Sequence, residues 1–253
     1  MTERQDRILE IIAGIQRVDV NALAKALNVS QVTIRKDLDY LDNLGYIKRE
    51  HGFAKFGSIE DIGARMALNY DIKRRIARSA AETVEDGETV LIESGSCCAL
   101  LAEELANKKQ VTIITNSAFI AGHIRHAPYA NIILLGGEYQ NSSQVLVGTM
   151  TSKWAEIFIS DKFFIGADGF TKKYGFTGHD HLRTETARDM AQQAKQVIVL
   201  TDSDKFLHQG TEGLVRTEQV SAVFTDDRIQ SETELFLQER NVAVYKVPST
   251  KAA

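Results

Sequence analysis

Apolar residues recur at helical spacing through the first 44 residues and predict three short helices. The predicted spans are residues 3–15, 20–27 and 31–44. Asp19 and Ser30 are typical N-caps for the second and third helices, and Gly45 permits the left-handed backbone that ends the third. Because a turn of three residues separates the last two helices, the pattern is typical of a helix-turn-helix.

A short basic hairpin is predicted directly after Gly45. Two strands would flank the turn at His51-Gly52, and the hairpin carries the cationic side chains Lys48, Arg49, His51 and Lys55. A helix-turn-helix followed by a basic hairpin predicts a winged helix-turn-helix domain over residues 1–57.

The rest of the chain alternates between strand and helix patterns. Residues 59–84 are predicted to form a long helical segment, so we expect a connecting helix at 58–85 and an α/β domain at 86–253. The predicted strands are Thr89–Glu93, Val111–Thr115, Ile132–Leu135, Phe163–Gly166, Val197–Thr201, Ala222–Thr225 and Val242–Val247. Since helix-length segments separate most of them, we expect a mostly parallel sheet with helices on both faces.

Composition adds limits on the class of protein. The chain has 253 residues, of which 43% are hydrophobic and 25% charged, as in ordinary globular proteins. No apolar run is long enough to span a bilayer or to serve as a signal peptide, so we expect a cytoplasmic protein without a membrane partner. The net charge is −4, while residues 1–57 carry nine Lys/Arg and eight Asp/Glu. The two cysteines are adjacent, so no metal site or cofactor is expected.

The first turns of the third helix carry the side chains that we expect to contact DNA. Ile34, Leu38 and Leu41 form the buried face, which leaves the polar and cationic side chains outside. In this motif the helix contacts base edges, where Arg35 suits guanine and Gln31 suits adenine, and the hairpin contacts phosphates. The candidate DNA-binding residues are Ser30, Gln31, Thr33, Arg35, Lys36, Lys48, Arg49 and His51.

Small and polar residues follow most of the predicted strands. Ligands of parallel sheets bind at the carboxyl ends of the strands, and small residues let backbone N–H groups approach an anion. A helix predicted after Ser94-Gly95-Ser96 would add its positive end. The sequence therefore predicts a site for a small phosphorylated metabolite at Ser94, Gly95, Ser96, Cys97, Asn116, Ser117, Gly136, Gly137, Asp168 and Lys205.

A more specific likeness lies at residues 29–38, VSQVTIRKDL, and continues at Leu41, Gly45, Arg49 and His51-Gly52. These residues resemble the signature of the DeoR family of bacterial repressors. The family commonly has Gly-Gly at the tip of the wing, whereas this chain has Gly52-Phe53, so we expect a changed turn with the same role. Because operators of such repressors are usually two-fold symmetric, we expect a homodimer or a higher homo-oligomer.

The second domain resembles the DeoR-family sensor domain, which is similar in fold to ribose-5-phosphate isomerase and the CoA-transferase group. The likeness rests on Ser94-Gly95-Ser96 and on residues 166–170, 175–177 and 202–206, which read GADGF, GFT and DSDKF. It implies a phosphate loop at the first motif and adds Thr177 to the candidate effector site. It also adds Glu185 to that site, near the start of a helix predicted over 184–194, where the isomerase has its base.

Three positions depart from this pattern. Family members typically have Asp, Thr and Ser where this chain has Glu93, Cys97 and Asp204. Cys97 removes a hydroxyl donor, and Asp204 adds negative charge beside Lys205. We expect both changes to weaken the binding of a simple phosphate or to select a different ligand.

Two functional hypotheses follow. The favoured one is a transcriptional repressor without turnover, whose DNA affinity changes when a phosphorylated sugar or related metabolite binds. The alternative is a sugar-phosphate isomerase-like enzyme with a DNA-binding appendage, in which Glu185 is the base and Lys205 stabilises the oxyanion. An isomerase has no use for the first 57 residues. The acidic charge and the pocket-like loops disfavour a third reading, an architectural nucleoid protein.

Two further features leave their roles open at this point. Cys97 and Cys98 are adjacent, and small packing residues at a helix start are favoured over a redox or soft-metal switch. His179 and His181 lie in a predicted loop, where plain polar contacts are favoured over metal binding or pH sensing.

Overall fold

The computed structural model describes residues 2–15, 17–43, 45–50, 52–55, 62–106 and 110–249. The chain divides into two compact units, residues 1–71 and 72–253. Each unit has its own buried core, and the two are described separately below.

The first unit is a small bundle of helices with a three-stranded sheet. Its helices are α1 (Glu3–Ile15), α2 (Val20–Ala26), α3 (Gln31–Asn43) and α4 (Ile62–Ala67), and its strands are β1 (Arg17–Asp19), β2 (Lys48–Glu50) and β3 (Phe53–Lys55). The strands pair antiparallel in the order β1-β3-β2. The predicted winged helix-turn-helix is thus confirmed, while β1 was missed because three residues carry too little periodicity.

Local capping explains where the helices of this unit begin and end. The carboxylate of Asp19 accepts hydrogen bonds from the backbone of Asn21 and Ala22 at the start of α2. The hydroxyl of Ser30 accepts from the Thr33 backbone at 3.1 Å at the start of α3. Gly45 has a φ of 78°, the left-handed conformation expected after α3.

A buried polar contact fixes α3 against α1. The Asp37 side chain is 5% exposed. It accepts hydrogen bonds from Arg4 Nε at 2.6 Å and from Gln5 Nε2 at 3.1 Å. Because both donors lie on α1, these bonds set the orientation of α3 in addition to the apolar packing of Ile34 and the residues around it.

The predicted helical segment over residues 59–84 is two helices rather than one. They are α4 and α5 (Tyr70–Ala81), and Asn69 between them has a φ of 54°. A left-handed residue interrupts helical hydrogen bonding, which the apolar spacing alone did not reveal. Residues 59–61 lie outside the described residues, and the boundary between the two units falls inside α5, after Asp71.

The second unit is built on seven parallel strands. They are β4 (Thr89–Ile92), β5 (Thr112–Thr115), β6 (Asn131–Leu134), β9 (Ser160–Ile165), β12 (Ala194–Leu200), β14 (Ala222–Asp226) and β15 (Ala243–Val247). Their order is β15-β14-β12-β9-β4-β5-β6, and every neighbouring pair is parallel. Each corresponds to a strand predicted from the sequence, with bounds that differ by at most three residues.

Five further strands of this unit were not predicted. The antiparallel hairpin is β7 (Glu138–Gln140) with β8 (Val145–Val147), and the antiparallel sheet β10-β11-β13 consists of Gly169–Thr171, Gly175–Gly178 and Glu212–Val215. These strands are short, and two of them contain glycine at their ends, so their sequences have the character of loops. The strand β11 bears on the candidate site because it contains Thr177.

After α5, the helices described in this unit are α6 (Ser96–Leu105), α7 (Ala118–His123), α8 (Thr149–Ala155), α9 (His181–Ala191) and α10 (Ser231–Gln238), with 3-10 turns at Ser203–Leu207 and Thr217–Gln219. The prediction of a helix over 184–194 was wrong by about one turn. Asp180 caps α9 by accepting from the Arg183 backbone at 2.8 Å, and β12 begins at Ala194. In the described part of the chain, no helix is both long and apolar enough to cross a bilayer.

The parallel sheet is covered on both faces. Consecutive residues Val90, Leu91 and Ile92 point to opposite faces and are all fully buried. From β4 the chain continues through β5 and β6 in one direction, and the later strands extend the sheet from β9 in the other. The strand order therefore reverses between β4 and β9, where sheets of this kind bind ligands beyond the carboxyl ends of the strands.

Candidate functional site

The outer surface of α3 presents cations that none of the described acidic side chains neutralises. Gln31, Arg35 and Lys36 are exposed, and Thr33 is half-buried. Within the described residues, neither Arg35 nor Lys36 forms an ion pair or a side-chain hydrogen bond. The hydroxyls of Ser30 and Thr33 lie 2.9 Å apart and take part in the helix cap. The first turns of α3 thus offer free guanidinium, ammonium and amide donors to a polyanion.

The wing differs, because several of its cations are already paired. The guanidinium of Arg49 is bonded to Asp39 of α3, and the Arg49 backbone N–H donates to the Asp42 carboxylate at 3.3 Å. Lys55 is bonded to Glu50 within the hairpin. Lys48 is exposed, and the predicted contact His51 lies outside the described residues.

An open cleft separates α3 from the hairpin. Among its lining residues, Arg35 and Arg49 are basic, while Asp39, Asp42 and Glu50 are acidic. The mixed charge means that the cleft itself does not attract a phosphate strongly. Of the cations that line it, Arg35 is the one that the described acidic residues leave unpaired.

In the second unit, two backbone segments touch at the point where the strand order reverses. A Cβ placed on Gly95, after β4, would lie 3.1 Å from the Cα of Gly166, after β9. The reverse contact is 3.2 Å. A side chain at either position would push the two segments apart by a few tenths of an ångström, so the two glycines favour this close approach. The predicted phosphate loop lies at the ligand-binding edge of the sheet.

The loop after β4 is held by Glu93. The Ser94 hydroxyl donates to Glu93 Oε1 at 2.5 Å, and the Gly166 backbone N–H donates to Glu93 Oε2 at 3.3 Å. Ser94 is buried, so its hydroxyl serves the loop itself. Gly95 is the N-cap of α6 and brings no side chain to the first turn, whose N–H groups keep their anion-binding character. Ser96 is half-buried at that first turn.

The adjacent cysteines are both buried, and neither is in a disulfide. Burial raises the pKa of Cys97 to about 12, with smaller influences from the charges of Lys73, Asp202, Lys205 and Asp226. The thiol is therefore neutral at physiological pH, as the packing interpretation expects and a reactive thiolate does not allow. The same influences show that the ends of β12 and β14 lie near the start of α6.

Asp226 organises the turn after β12. It is fully buried and accepts from the Ser203 backbone at 2.7 Å, the Ser203 hydroxyl at 2.9 Å and Arg228 Nε at 2.8 Å. Burial opposes ionisation of Asp226, but these hydrogen bonds outweigh it and hold its pKa below the usual range. In the same turn Lys205 is half-exposed, and its ammonium has no partner among the described residues. Asp204 lies 3.8 Å from Arg228.

The antiparallel sheet explains how Asp168 and Thr177 are held together. The Asp168 backbone N–H donates to the Thr177 carbonyl at 2.9 Å, and the Asp168 carboxylate accepts from the His179 backbone at 3.1 Å. The Thr177 hydroxyl accepts from the Gly210 backbone at 2.8 Å. Asp168 and Thr177, both predicted site residues, thus already form hydrogen bonds within the protein.

The predicted residues after β5 and β6 have evident structural roles. The Ser117 hydroxyl caps α7 by accepting from the Ile120 backbone at 3.2 Å. Asn116 Nδ2 donates to the Leu146 carbonyl at 3.1 Å, while its Oδ1 is buried without a partner among the described residues. A Cβ on Gly137, whose φ is 152°, would lie 1.9 Å from Thr151 Oγ1. Gly136-Gly137 follow β6, the outermost strand, two strands from β4.

Glu185 and the two histidines lie at the start of α9. Glu185 is exposed in the second turn of the helix, and its charge acts on the His181 ring. His181 is exposed and pairs with Glu212 at 2.9 Å, which raises its pKa. His179 is also exposed.

Comparison with known proteins matches both units to one family. Residues 4–60 match the DeoR-like helix-turn-helix domain, and residues 68–227 match the DeoR C terminal sensor domain. The chain belongs to the DeoR family. With that domain pair, it is a DNA-binding transcriptional regulator.

Several curated relatives align over almost the whole DeoR-family chain. The HTH-type transcriptional regulator GolR of Listeria innocua is 30% identical over 90% of this chain and 91% of its own. The putative aga operon transcriptional repressor of Escherichia coli O157:H7 is 27% identical over 97% and 94%. Among solved structures, ribose-5-phosphate isomerase A from Methanocaldococcus jannaschii aligns with 20% identity over 55% of each chain and a TM-score of 0.41.

Sequence reasoning missed the supporting carboxylates of this regulator. Asp226 fixes the turn that carries Lys205, and Asp37 fixes α3, yet the sequence analysis assigned a role to neither side chain. An acidic residue ending an apolar strand, as Asp226 ends VFTD, is the signal that was available. Asp202, buried at the end of β12, was likewise quoted only as part of a motif.

Proposed function

We propose that this DeoR-family regulator is a repressor that contacts its operator through Gln31, Arg35 and Lys36. The observation that carries the proposal is the pair of unneutralised cations on the first turns of α3, where a helix-turn-helix contacts base edges. Ser30 and Thr33 take part in the cap of α3 and contact the DNA backbone beside this helix. Lys48 and His51 of the wing contact neighbouring phosphates, and the protein works in the cytoplasm.

We further propose that a phosphorylated metabolite binds in the second unit and changes operator affinity. The anion is held by the first-turn N–H groups of α6 at Ser96 and Cys97, and by the ammonium of Lys205. The position of this helix start at the reversal of strand order supports the proposal. Asp168 and Thr177, which share a hydrogen-bonded frame, bind hydroxyl groups of the same ligand.

The remaining predicted residues take a supporting part in this proposal. Ser94 and Gly95 shape the loop, and Asn116 and Ser117 hold the neighbouring end of β5. Gly136 and Gly137 pack against α8 at the outer edge and are not required for the ligand. Ligand binding shifts the DNA-competent population only to the extent that the two states bind it differently.

We propose that the protein catalyses no turnover of its ligand. The candidate base Glu185 is exposed, and its charge acts on His181, which pairs with Glu212 of β13. An enediol isomerase needs a desolvated base beside the substrate carbon, and an exposed carboxylate is a poor fit. The names of the relatives, which are regulators and a repressor, support the same conclusion.

A thermal-shift panel of phosphorylated sugars on the full chain tests the effector proposal. A ligand at 100 times its dissociation constant should add about 2.7 kcal/mol to the unfolding free energy, which raises Tm by a few degrees. Ser96→Asp, which places a negative charge at the anion site, should abolish the shift and leave operator affinity intact. A shift that survives Ser96→Asp would move the effector site elsewhere in the chain.

A further inference from the structure

One surface of the second unit is apolar where a surface helix is normally polar. On α8, Thr151, Ser152 and Ala155 face inwards and are buried. On its other side, Met150 is 60% exposed and Trp154 is 45% exposed. An amphipathic helix of a globular protein directs its polar side chains to water, whereas α8 exposes the large apolar side chains of Met150 and Trp154.

Further large apolar side chains are exposed on the segments next to α8. Ile157 and Ile159, just past the helix, are 70% and 81% exposed, and Leu134 at the end of β6 is 43% exposed. The indole nitrogen of Trp154 lies 4.0 Å from the Cβ position of Gly136, two residues after Leu134. We call these five residues the apolar strip: Leu134, Met150, Trp154, Ile157 and Ile159.

The strip is large enough for a protein interface. If a large side chain offers on the order of 200 Å² when fully exposed, the strip leaves about 600 Å² in water. That area is at the upper end for the largest apolar patch of a monomer, and it approaches the ~800 Å² that each partner buries in a standard interface. Leu235 on α10 is also exposed and apolar, but it does not belong to this strip.

We infer that a second copy of this chain docks on the apolar strip. The helix-turn-helix contacts one half-site, and a two-fold symmetric operator is contacted by two copies. A two-fold interface pairs a patch with itself, so an apolar strip buries best against its own symmetry mate.

Charges beside the strip fit the same arrangement. Lys153 and Glu156 are exposed, lie on either side of Trp154 in sequence, and form no ion pair within the described residues. When two copies of α8 pack antiparallel about an axis near Trp154, Lys153 approaches Glu156 of the partner subunit. The strip is thereby flanked by two complementary pairs, which a like-charged flank would not provide.

The first experiment measures the mass of the full chain in solution by light scattering, without DNA. The parent is expected to be a dimer or a higher even-numbered oligomer. Ile157→Asp places a charge in the strip and should weaken association by at least on the order of 100-fold, giving a monomer. The matched control is Leu235→Asp, which changes a 58% exposed apolar residue outside the strip and should keep the parent mass. A monomeric parent, or an Ile157→Asp variant with the parent mass, overturns the inference.

A charge exchange tests the partner and its orientation independently of folding. Lys153→Glu and Glu156→Lys should each weaken association, and the double variant should restore it, because each copy then carries both exchanged charges. If neither single variant changes the mass at any concentration, the antiparallel arrangement is excluded. Trp154, the single tryptophan, adds a readout: its emission should shift to longer wavelength on dilution through the dissociation range, and a constant emission contradicts burial at the interface.

The choice of a second copy as occupant rests on the DNA-binding function, whereas the mass measurement does not. If the apolar strip is not the interface, the masses of the variants will contradict the inference, and the proposed DNA contacts are unaffected. A failure of DNA recognition would instead leave an oligomer that binds no operator.

Discussion

Helix α3 and the carboxyl edge of the parallel sheet differ in how their polar side chains are hydrogen-bonded. On α3, Arg35 and Lys36 point to water with no acidic partner among the described residues. At the sheet edge, the Ser94 hydroxyl is bonded to Glu93 and the Thr177 hydroxyl to Gly210. The cationic donors of α3 are available to a ligand, whereas these hydroxyls at the sheet edge are already hydrogen-bonded within the protein.

The difference fits the ligands proposed for the two surfaces. DNA supplies many phosphates and base edges, so free cations contribute most of the affinity and need little preorganisation beyond a rigid helix. A small anion offers few contacts, so its site must be fixed before it arrives, and fixed loops require internal hydrogen bonds. In the sensor edge the groups left open are the first turn of α6 and the ammonium of Lys205.

The largest effect is expected from breaking the internal bonds of the sensor edge. Asp226→Ala removes the acceptor for the backbone and hydroxyl of Ser203, both buried, and should lower the unfolding free energy of the second unit by about 3 kcal/mol. Arg228 is nearly half exposed and adds little to this loss. Urea unfolding followed by Trp154 fluorescence measures it, and Asp204→Ala is the half-exposed control with a change near zero.

The same substitution has a defined pH dependence. Because the folded pKa of Asp226 is lowered, its stabilisation is present above the ordinary carboxyl pKa, about 3.9. It is lost as pH falls through the lower folded value. The stability difference between parent and Asp226→Ala should therefore shrink towards pH 2. A difference that stays constant from pH 7 to pH 2 would contradict ionic stabilisation by this carboxylate.

The second effect concerns the open cations of α3. Arg35→Ala should weaken binding to the cognate operator by about 1–3 kcal/mol and relax its preference over random DNA. Lys36→Ala is expected to weaken binding to both DNAs alike. A filter-binding or anisotropy titration against the two DNAs measures both, and Lys25→Ala, an exposed lysine on α2, is the control. Parent-like binding by Arg35→Ala would show that α3 is not the base-reading helix.

Arg49 sharpens the comparison, because it is a wing cation that the protein has already paired. We expect Arg49 to position the wing against α3 through Asp39 rather than to neutralise a phosphate. Arg49→Ala should then lower operator affinity by about 0.5–1 kcal/mol, and the slope of affinity against salt should not change.

The variant Asp39→Asn distinguishes the two possible roles of Arg49, because they predict opposite changes in operator affinity. If the pair positions the wing, Asp39→Asn lowers affinity as Arg49→Ala does. If Arg49 instead contacts a phosphate, Asp39→Asn raises affinity by releasing the guanidinium, and Arg49→Ala reduces the salt slope by about one. Lys36→Ala, whose slope should fall by about one, calibrates the measurement.

These contrasts also mark how far the sequence determines the molecule. All seven parallel strands and the helices α1, α2 and α3 were predicted, because buried strands such as Thr89–Ile92 and amphipathic helices have strong periodicity. The sheet β10-β11-β13 was missed, because short strands rich in glycine carry none. The long-range pairs Arg49–Asp39 and Ser203–Asp226 were missed for another reason: spacing along the chain does not show which charge meets which.

The smallest effect is expected at the His181–Glu212 pair on α9. Glu212 raises the pKa of His181 above about 6.5, and in a side-chain NMR titration Glu212→Gln should return it to the ordinary range. The raised pKa makes the pair stabilising below the ordinary histidine value, and that contribution disappears as pH rises through the folded value. Because the ring is exposed, solvent screening keeps the contribution small.

Effector binding decides whether this titration matters for function. His181 is exposed and already bonded to Glu212 of β13, so we expect the affinity for a phosphorylated ligand to show no step at the His181 pKa beyond the ligand's own titration. His181→Gln, which keeps a polar group and removes the charge, should bind as the parent does at about pH 6 and pH 8. A loss confined to pH 6 would place the imidazolium among the groups that hold the anion, and the sensor edge would then possess an open cation that α9 supplies.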